Sequence, residues 1–333
     1  MKTESIVLQT LCVPCACRCR YCLLSWDGRP VGAPWDRAAA FARAFRAWQR
    51  QHRPDLRFAF TFGYSMEHPQ LRQAIRLLRE LGSPQSEFLQ CDGMRMRSEA
   101  ECRELGVMLA EEGVKHLNFT FYGLPDYHDR FAGRPGDFSL LLRLLRAAVA
   151  AGLTTSARVP LTAESITQAG ELISLLKDSG CADVTLFIPH EEGRGVLLAP
   201  IRLTEKDLRR LPDDACAQLD RRVYRSEREW LAPGALTEDT RRSLILSLTG
   251  ENVARCERAD PAALIAELEA LDDAYYAAFP PPAELAARGG DPNGDRLYSR
   301  RDLLFHYRRL YAREFPAAVY DVTDERYSGS RRY

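Results

Sequence analysis

No run of the chain approaches the ~20 consecutive apolar residues that a bilayer-crossing helix needs, so no membrane span is expected. The first apolar stretch, Ile6 to Val13, is broken by Gln9 and Thr10. It is preceded by Lys2 and Glu4 and followed by cysteines, with no small-residue cleavage site. That is not an export signal, and a cytoplasmic protein with reduced thiols is expected. Neither sign of charge is in excess: Lys+Arg and Asp+Glu each number 46, for a formal net charge of zero. A protein devoted to nucleic acid or an anionic membrane needs a basic surplus, so neither is expected as a partner. Lysine is scarce: Lys2, Lys115, Lys177 and Lys206 stand among many arginines, which reads as genome composition. With 46% hydrophobic and 28% charged residues, the 333-residue chain is not globally disordered. At roughly 100–200 residues per domain, its length suits two domains or one α/β barrel with an appendage.

Cysteine is plentiful and unevenly placed. Of ten, Cys12, Cys15, Cys17, Cys19 and Cys22 crowd one short loop, while Cys91, Cys102, Cys181, Cys216 and Cys256 are scattered. A disulfide framework spreads its cysteines through a short secreted chain. One loaded loop in a large chain reads as metal ligation. Zinc would want a second Cys or His pair at matching spacing, and neither the scattered cysteines nor the six histidines supply one.

Hydrophobic periodicity predicts a strand-then-helix series through residues 1–200. Strands are predicted at 5–11, 56–62, 87–91, 115–122, 155–161 and 183–188, with helices at 36–52, 69–81, 98–112, 137–151 and 164–179 between them. Ser98 and Glu101 form a capping box, and Gly82 and Gly152 end their helices. Six such units imply a parallel sheet with right-handed crossovers and are too few for an eight-stranded barrel. The expected fold class is α/β: a partial (β/α)6 TIM-like barrel, with a doubly wound sheet as the rival. The boundary falls near residue 200, giving a barrel at 1–200 and a mostly helical capping region at 201–333. There, Ser243–Thr249 reads as an isolated strand, Asp260-Pro261 opens a helix, and Ser299/Asp302 caps another.

The loop has one register of the form C-x3-C-x2-C: Cys15, Cys19 and Cys22, with the aromatic Tyr21 before the last. This motif after the first strand of a β/α series, over about the first 195 residues, resembles the radical S-adenosylmethionine (SAM) enzymes. Three thiolates leave one iron of a four-iron cluster without a protein ligand, and an open position is what a metal needs to bind a small molecule. The resemblance implies a [4Fe-4S] cluster and SAM as cofactors, cleavage of SAM to a 5′-deoxyadenosyl radical, and hydrogen abstraction from a substrate. It also implies an electron donor such as flavodoxin or ferredoxin, and a peptide or small-metabolite substrate.

Residue by residue, the resemblance places Gly63, Ser65 and Glu67, in Gly63-Tyr-Ser-Met-Glu67-His-Pro69, at the SAM amino group. The family's second glycine is missing there and His68 is inserted. It places Thr120 at the ribose, Arg158 at the SAM carboxylate, Ile188 at the adenine, and Tyr21 beside the cofactor. Arg158 lies on an apolar strand, where a buried charge needs a partner. Asp92-Gly93 reads as a turn, and Tyr127-His128-Asp129-Arg130 as a solvated loop. Only Cys216 and Cys256 lie beyond residue 200, too few for a further cluster. The alternative reading is a non-catalytic metal-binding or iron–sulfur electron-transfer protein.

Overall fold

The computed structural model describes residues 1–10, 15–22, 32–63, 66–191 and 193–315. The strand–helix series runs β1 (Lys2–Gln9), α1 (Trp35–His52), β2 (Arg57–Thr61), α2 (Leu71–Leu81), β3 (Phe88–Gln90), α3 (Glu99–Glu111) and β4 (His116–Thr120). It continues through α4 (Pro125–Ala132), α5 (Asp137–Ala150), β5 (Thr154–Pro160), α6 (Ala169–Asp178) and β6 (Asp183–Phe187). The six expected strands are present, and the Ser98/Glu101 capping box forms in full. Helix α4 stands where the sequence reads as a solvated loop. Tyr127, His128 and Phe131 are buried on its inner side, so its apolar residues are spaced to cover the neighbouring strand.

After residue 200 come short helices α7 (Glu205–Leu208), α8 (Asp213–Cys216) and α9 (Glu227–Trp230), with β7 (Arg225–Ser226) before the last. Strand β8 (Arg241–Ser247), helices α10 (Val253–Arg258), α11 (Pro261–Ala277) and α12 (Pro282–Gly289), strand β9 (Leu297–Tyr298) and helix α13 (Arg300–Glu314) follow. Asp260 accepts a hydrogen bond from the Ala262 N–H, and Ser299 from the Asp302 N–H, so both expected caps form.

Two hydrogen-bonded parallel sheets result, β8-β1-β2 and β3-β4-β5-β6, plus an antiparallel pair of β7 with β9. The Ser83 hydroxyl, after α2, binds the outer edge of β2: it donates to the Phe60 carbonyl at 2.8 Å and accepts from the Phe60 N–H at 3.1 Å. Strand β8 corrects the sequence reading of an isolated strand. It pairs in parallel along β1, with Leu8 beside Leu246 and Gln9 beside Ser247. Its alternating Leu244 and Leu246 bury into the same core as Ile6 and Leu8, and that burial favours pairing. The three-stranded sheet therefore takes one edge strand from beyond residue 200.

Each strand has an apolar face against the helices, with Phe58, Phe60, Leu117, Phe119, Ala157, Val159, Val184 and Leu186 in one core. Because side chains alternate with period two, the other face carries Gln9, Thr61, Gln90, Asn118, Thr120, Ser156, Arg158 and Thr185. Parallel register sets Gln9 level with Thr61 and Ser247, and Thr120 level with Arg158 and Thr185. Buried parallel strands are normally apolar on both faces. A polar inner face marks the side of the sheet meant to meet water or ligand.

Helix α13 connects the two outer edges. His190 and Glu191, just past β6, pair with its Asp302 at 3.1 Å and its His306 at 2.9 Å. Arg202 lies between the buried Glu191 and Asp302, and its guanidinium sits 4.2 Å over the Tyr298 ring. Leu304, Phe305 and Arg308 of α13 line a cavity of about 210 Å³ with Ser243 and Ile245 of β8. Buried carboxylates need such partners, since an unpaired one costs several kcal/mol.

Candidate cofactor site

The cysteine loop is held from two sides. Ala16 N–H donates to the Gly93 carbonyl at 2.8 Å, past β3, while Arg18 and Arg20 N–H donate to the carbonyls of Ala132 and Phe131, at the end of α4. Gly93 has φ +67°, and a Cβ there would lie 2.2 Å from Cys15 Sγ. The turn thus needs glycine twice over, for its left-handed backbone and for the room it leaves the sulfur. Gly93→Ala is expected to displace Cys15 and cut metal retention by the folded protein several-fold. Metal analysis beside an unchanged far-UV spectrum checks this.

Among the described residues no three His, Cys, Asp or Glu side chains form a ready coordination sphere. The thiols bond to one another instead: Cys17 lies between Cys15 and Cys19, and Cys22 acts on Cys15 through its charge. Hydrogen bonds from Cys15 and Cys19 pull the Cys17 pKa far down. The same interaction, with burial, pushes Cys15 and Cys19 up. The Cys22 N–H donates to the Cys19 carbonyl at 3.1 Å. Cys17 is also tied downward, with its sulfur 3.6 Å from Asp137 Oδ2. Asp137 is buried and also bonds His128 Nε2 at 3.1 Å and Arg134 at 3.3 Å. Cys12 lies outside the described residues.

The donor set suits a soft metal centre. Cys15, Cys19 and Cys22 are half-buried, on a loop with no helix or strand to stiffen it and a glycine cradle under the first sulfur. Thiolates of this kind hold iron–sulfur clusters. Tyr21 packs edge-on against Tyr122 at 5.8 Å and tilted against Phe131 at 5.7 Å, fixing the loop between Cys19 and Cys22.

The other sequence candidates fall in different places. Thr120 ends β4 beside the loop, and its hydroxyl donates to Asp92 Oδ2 at 2.9 Å. Arg158 is level with Thr120 on the inner face, but it is exposed rather than buried. As an exposed charge it needs no interior partner. Among the described residues no carboxylate ion-pairs with Arg158, so its guanidinium is open to an anion. Gly63, with φ +77°, turns the chain after β2. Glu67 is engaged: its carboxylate accepts from the Arg97 guanidinium and from the Arg95 N–H at 3.0 Å. An ammonium group reaching Glu67 has to displace Arg97. Ser65 lies outside the described residues. Ile188 is fully buried in the helix-side core, on the same side as Leu186, whereas the half-buried Phe187 alternates to the inner face. Thr120 and Arg158 thus share one level of the inner face, and Ile188 lies on the opposite, helix side.

Asp92, read from sequence as a turn residue, is more. Its Oδ1 accepts the Thr120 N–H at 3.0 Å, and its Oδ2 accepts Gln90 Nε2 at 2.5 Å as well as the Thr120 hydroxyl. Behind Gln90 the chain of donors runs back through Asn118, at 2.5 Å, and Ser156, at 2.8 Å. The signal was in the sequence: Gln90, Asn118, Ser156 and Thr120 are polar residues on strands that otherwise read apolar. Burial raises Asp92 to about 6, against the lowering effect of Thr120 and Gln90. The folded protein thus keeps this proton to higher pH than the unfolded chain. The associated stability, ~3 kcal/mol, is present below about pH 4 and lost as pH rises through about 6. Asp92→Asn is expected to flatten that part of the stability profile, measured by urea unfolding at pH 4 to 7.

No family model matches the chain, and no curated protein matches it. Its structural neighbours include proteins described as radical SAM enzymes. Streptococcus suis SuiB bound to S-adenosylmethionine matches at 13% identity over 73% of this chain and 59% of that one, with a TM-score of 0.49. SuiB bound to the precursor peptide SuiA matches at 13% identity over 63% of this chain and 45% of that one, with a TM-score of 0.45. HemN, the coproporphyrinogen III oxidase of Escherichia coli, matches at 14% identity over 64% and 48%, with a TM-score of 0.39. The chain spans about half the length of these solved proteins.

Proposed function

We propose that the chain is a radical SAM enzyme acting on a peptide or small metabolite. The observation that carries this reading is the seating of the C-x3-C-x2-C thiols at the carboxyl ends of β3 and β4, the end where Thr120 and Arg158 also stand, with no carboxylate among the described residues ion-paired to Arg158. In parallel α/β sheets reactive groups gather at that end. Cys15, Cys19 and Cys22 would hold the [4Fe-4S] cluster. When bound and reduced, such a cluster supplies the electron that cleaves SAM to the 5′-deoxyadenosyl radical, which takes a hydrogen atom from the substrate.

The protein's own residues have separate tasks. Arg158 gives the SAM carboxylate a charge-assisted partner. Thr120 has committed its proton to Asp92, so its oxygen accepts from a ribose hydroxyl. Glu67, once released from Arg97, receives the amino group, with Gly63 and Ser65 alongside and Tyr21 bracing the loop. Ile188 serves the adenine only after moving out of the core. The electron comes from a low-potential donor such as flavodoxin or ferredoxin, and the setting is the cytoplasm. Residues 1–200 form the catalytic unit, and 201–333 cap it and set substrate choice, with β8 reaching back to complete the sheet. Anaerobic incubation of reconstituted protein with SAM and dithionite is expected to yield 5′-deoxyadenosine. A reduced cluster that leaves SAM intact supports the electron-transfer reading instead.

A further inference from the structure

Tyr122 is a buried polar group that no step above uses. It follows β4 directly, is 6% exposed, and lies in a small cluster with Tyr127, Phe131, Ala132 and Leu198, against which Cys19 and Tyr21 pack. Its ring is fixed on several sides. Phe131 stacks on it at 4.6 Å, Tyr21 meets it edge-on, and His128 lies at 5.1 Å. Its N–H donates to His128 Nδ1 at 3.1 Å. His128 Nε2 in turn bonds Asp137, so the backbone is anchored as well. This packing leaves one direction for the phenol, and its hydroxyl donates to Cys19 Sγ at 3.1 Å.

We infer that Tyr122 tunes the reduction potential of the cluster through its hydrogen bond to Cys19, an inference that rests on the cluster reading above. One-electron reduction adds negative charge that spreads onto the ligand sulfurs. A donor aimed at a sulfur stabilises the reduced state more than the oxidised one, and hydrogen bonds to sulfur are among the levers that set iron–sulfur potentials. A buried Tyr hydroxyl ordinarily takes a partner, and here the partner is a predicted cluster ligand.

The test is a redox titration of the reconstituted protein, followed by the signal of the reduced cluster in electron paramagnetic resonance. Tyr122→Phe keeps the ring and removes the donor, and its midpoint is expected to shift negative with iron content unchanged. Replacement of Tyr122 by 3-fluorotyrosine, a more acidic phenol of nearly the same shape, is expected to shift it positive. The opposed shifts separate a tuning hydrogen bond from packing, because packing alone predicts no such order. If Tyr122→Phe fails to hold iron, the fluorotyrosine protein decides alone. Intact clusters with unchanged or reversed midpoints overturn this inference and leave the cluster reading standing. Wild-type protein that holds no iron–sulfur cluster overturns both.

Discussion

Cys15→Ala, Cys19→Ala and Cys22→Ala are each expected to lose the iron–sulfur absorption and nearly all of about four irons per chain, while Cys17→Ala keeps them. The expectation is sharp because geometry alone points elsewhere. In the structure the Cys17 sulfur lies close to those of Cys15 and Cys19. Yet Cys17 is 6% exposed and its thiol meets the buried Asp137, whereas Cys22 is half-buried. A cluster needs thiolates that project toward open space, with one iron left for a ligand. Loss of Cys17 is therefore expected to cost stability of the loop rather than a ligand. Iron analysis and visible absorption after anaerobic reconstitution check the set. Iron retained in Cys22→Ala and lost in Cys17→Ala would reverse the assignment.

Arg158→Ala is expected to weaken SAM binding by about tenfold or more while leaving iron content intact. Charge-assisted hydrogen bonds contribute ~1.5–3 kcal/mol, and ~1.4 kcal/mol corresponds to tenfold in affinity. No carboxylate among the described residues competes for this guanidinium, and Thr120 and Thr185 flank it at the same level of the sheet. Glu67→Ala is a weaker probe, since Glu67 begins tied to Arg97 and Arg95. Equilibrium SAM binding to the folded, reconstituted variant is the measurement. Unchanged affinity would remove Arg158 from the site.

Much of this was legible in the sequence, for reasons that can be named. The strand–helix series emerged because each strand of residues 1–200 alternates and each helix carries a stripe, as with Phe58 and Phe60 or Leu71, Ile75 and Leu78. The cysteine register was unique. Strand β8 escaped because SLILSLT looks alone until β1 offers an edge 240 residues away, a long-range pairing that no local pattern encodes. Helix α4 escaped because its buried side is built from Tyr127, His128 and Phe131, with charges between them. Arg158 was expected to be a buried charge in need of a partner, but the strand's second face is polar and open, and the residue is exposed there. Ile188 was placed on the wrong side of a period-two alternation that Leu186 already announced. Asp92 was hidden because a turn and a hydrogen-bond acceptor look the same in one dimension. Only the register of β3 with β4 brings Gln90 and Thr120 to it.

The most direct measurement is product analysis after anaerobic reconstitution. With iron and sulfide restored, SAM added and dithionite as reductant, the protein is expected to carry about four irons and to form 5′-deoxyadenosine, slowly even without substrate. Zinc held tightly in place of iron, or a fully assembled and reduced cluster that leaves SAM uncleaved, would contradict the account.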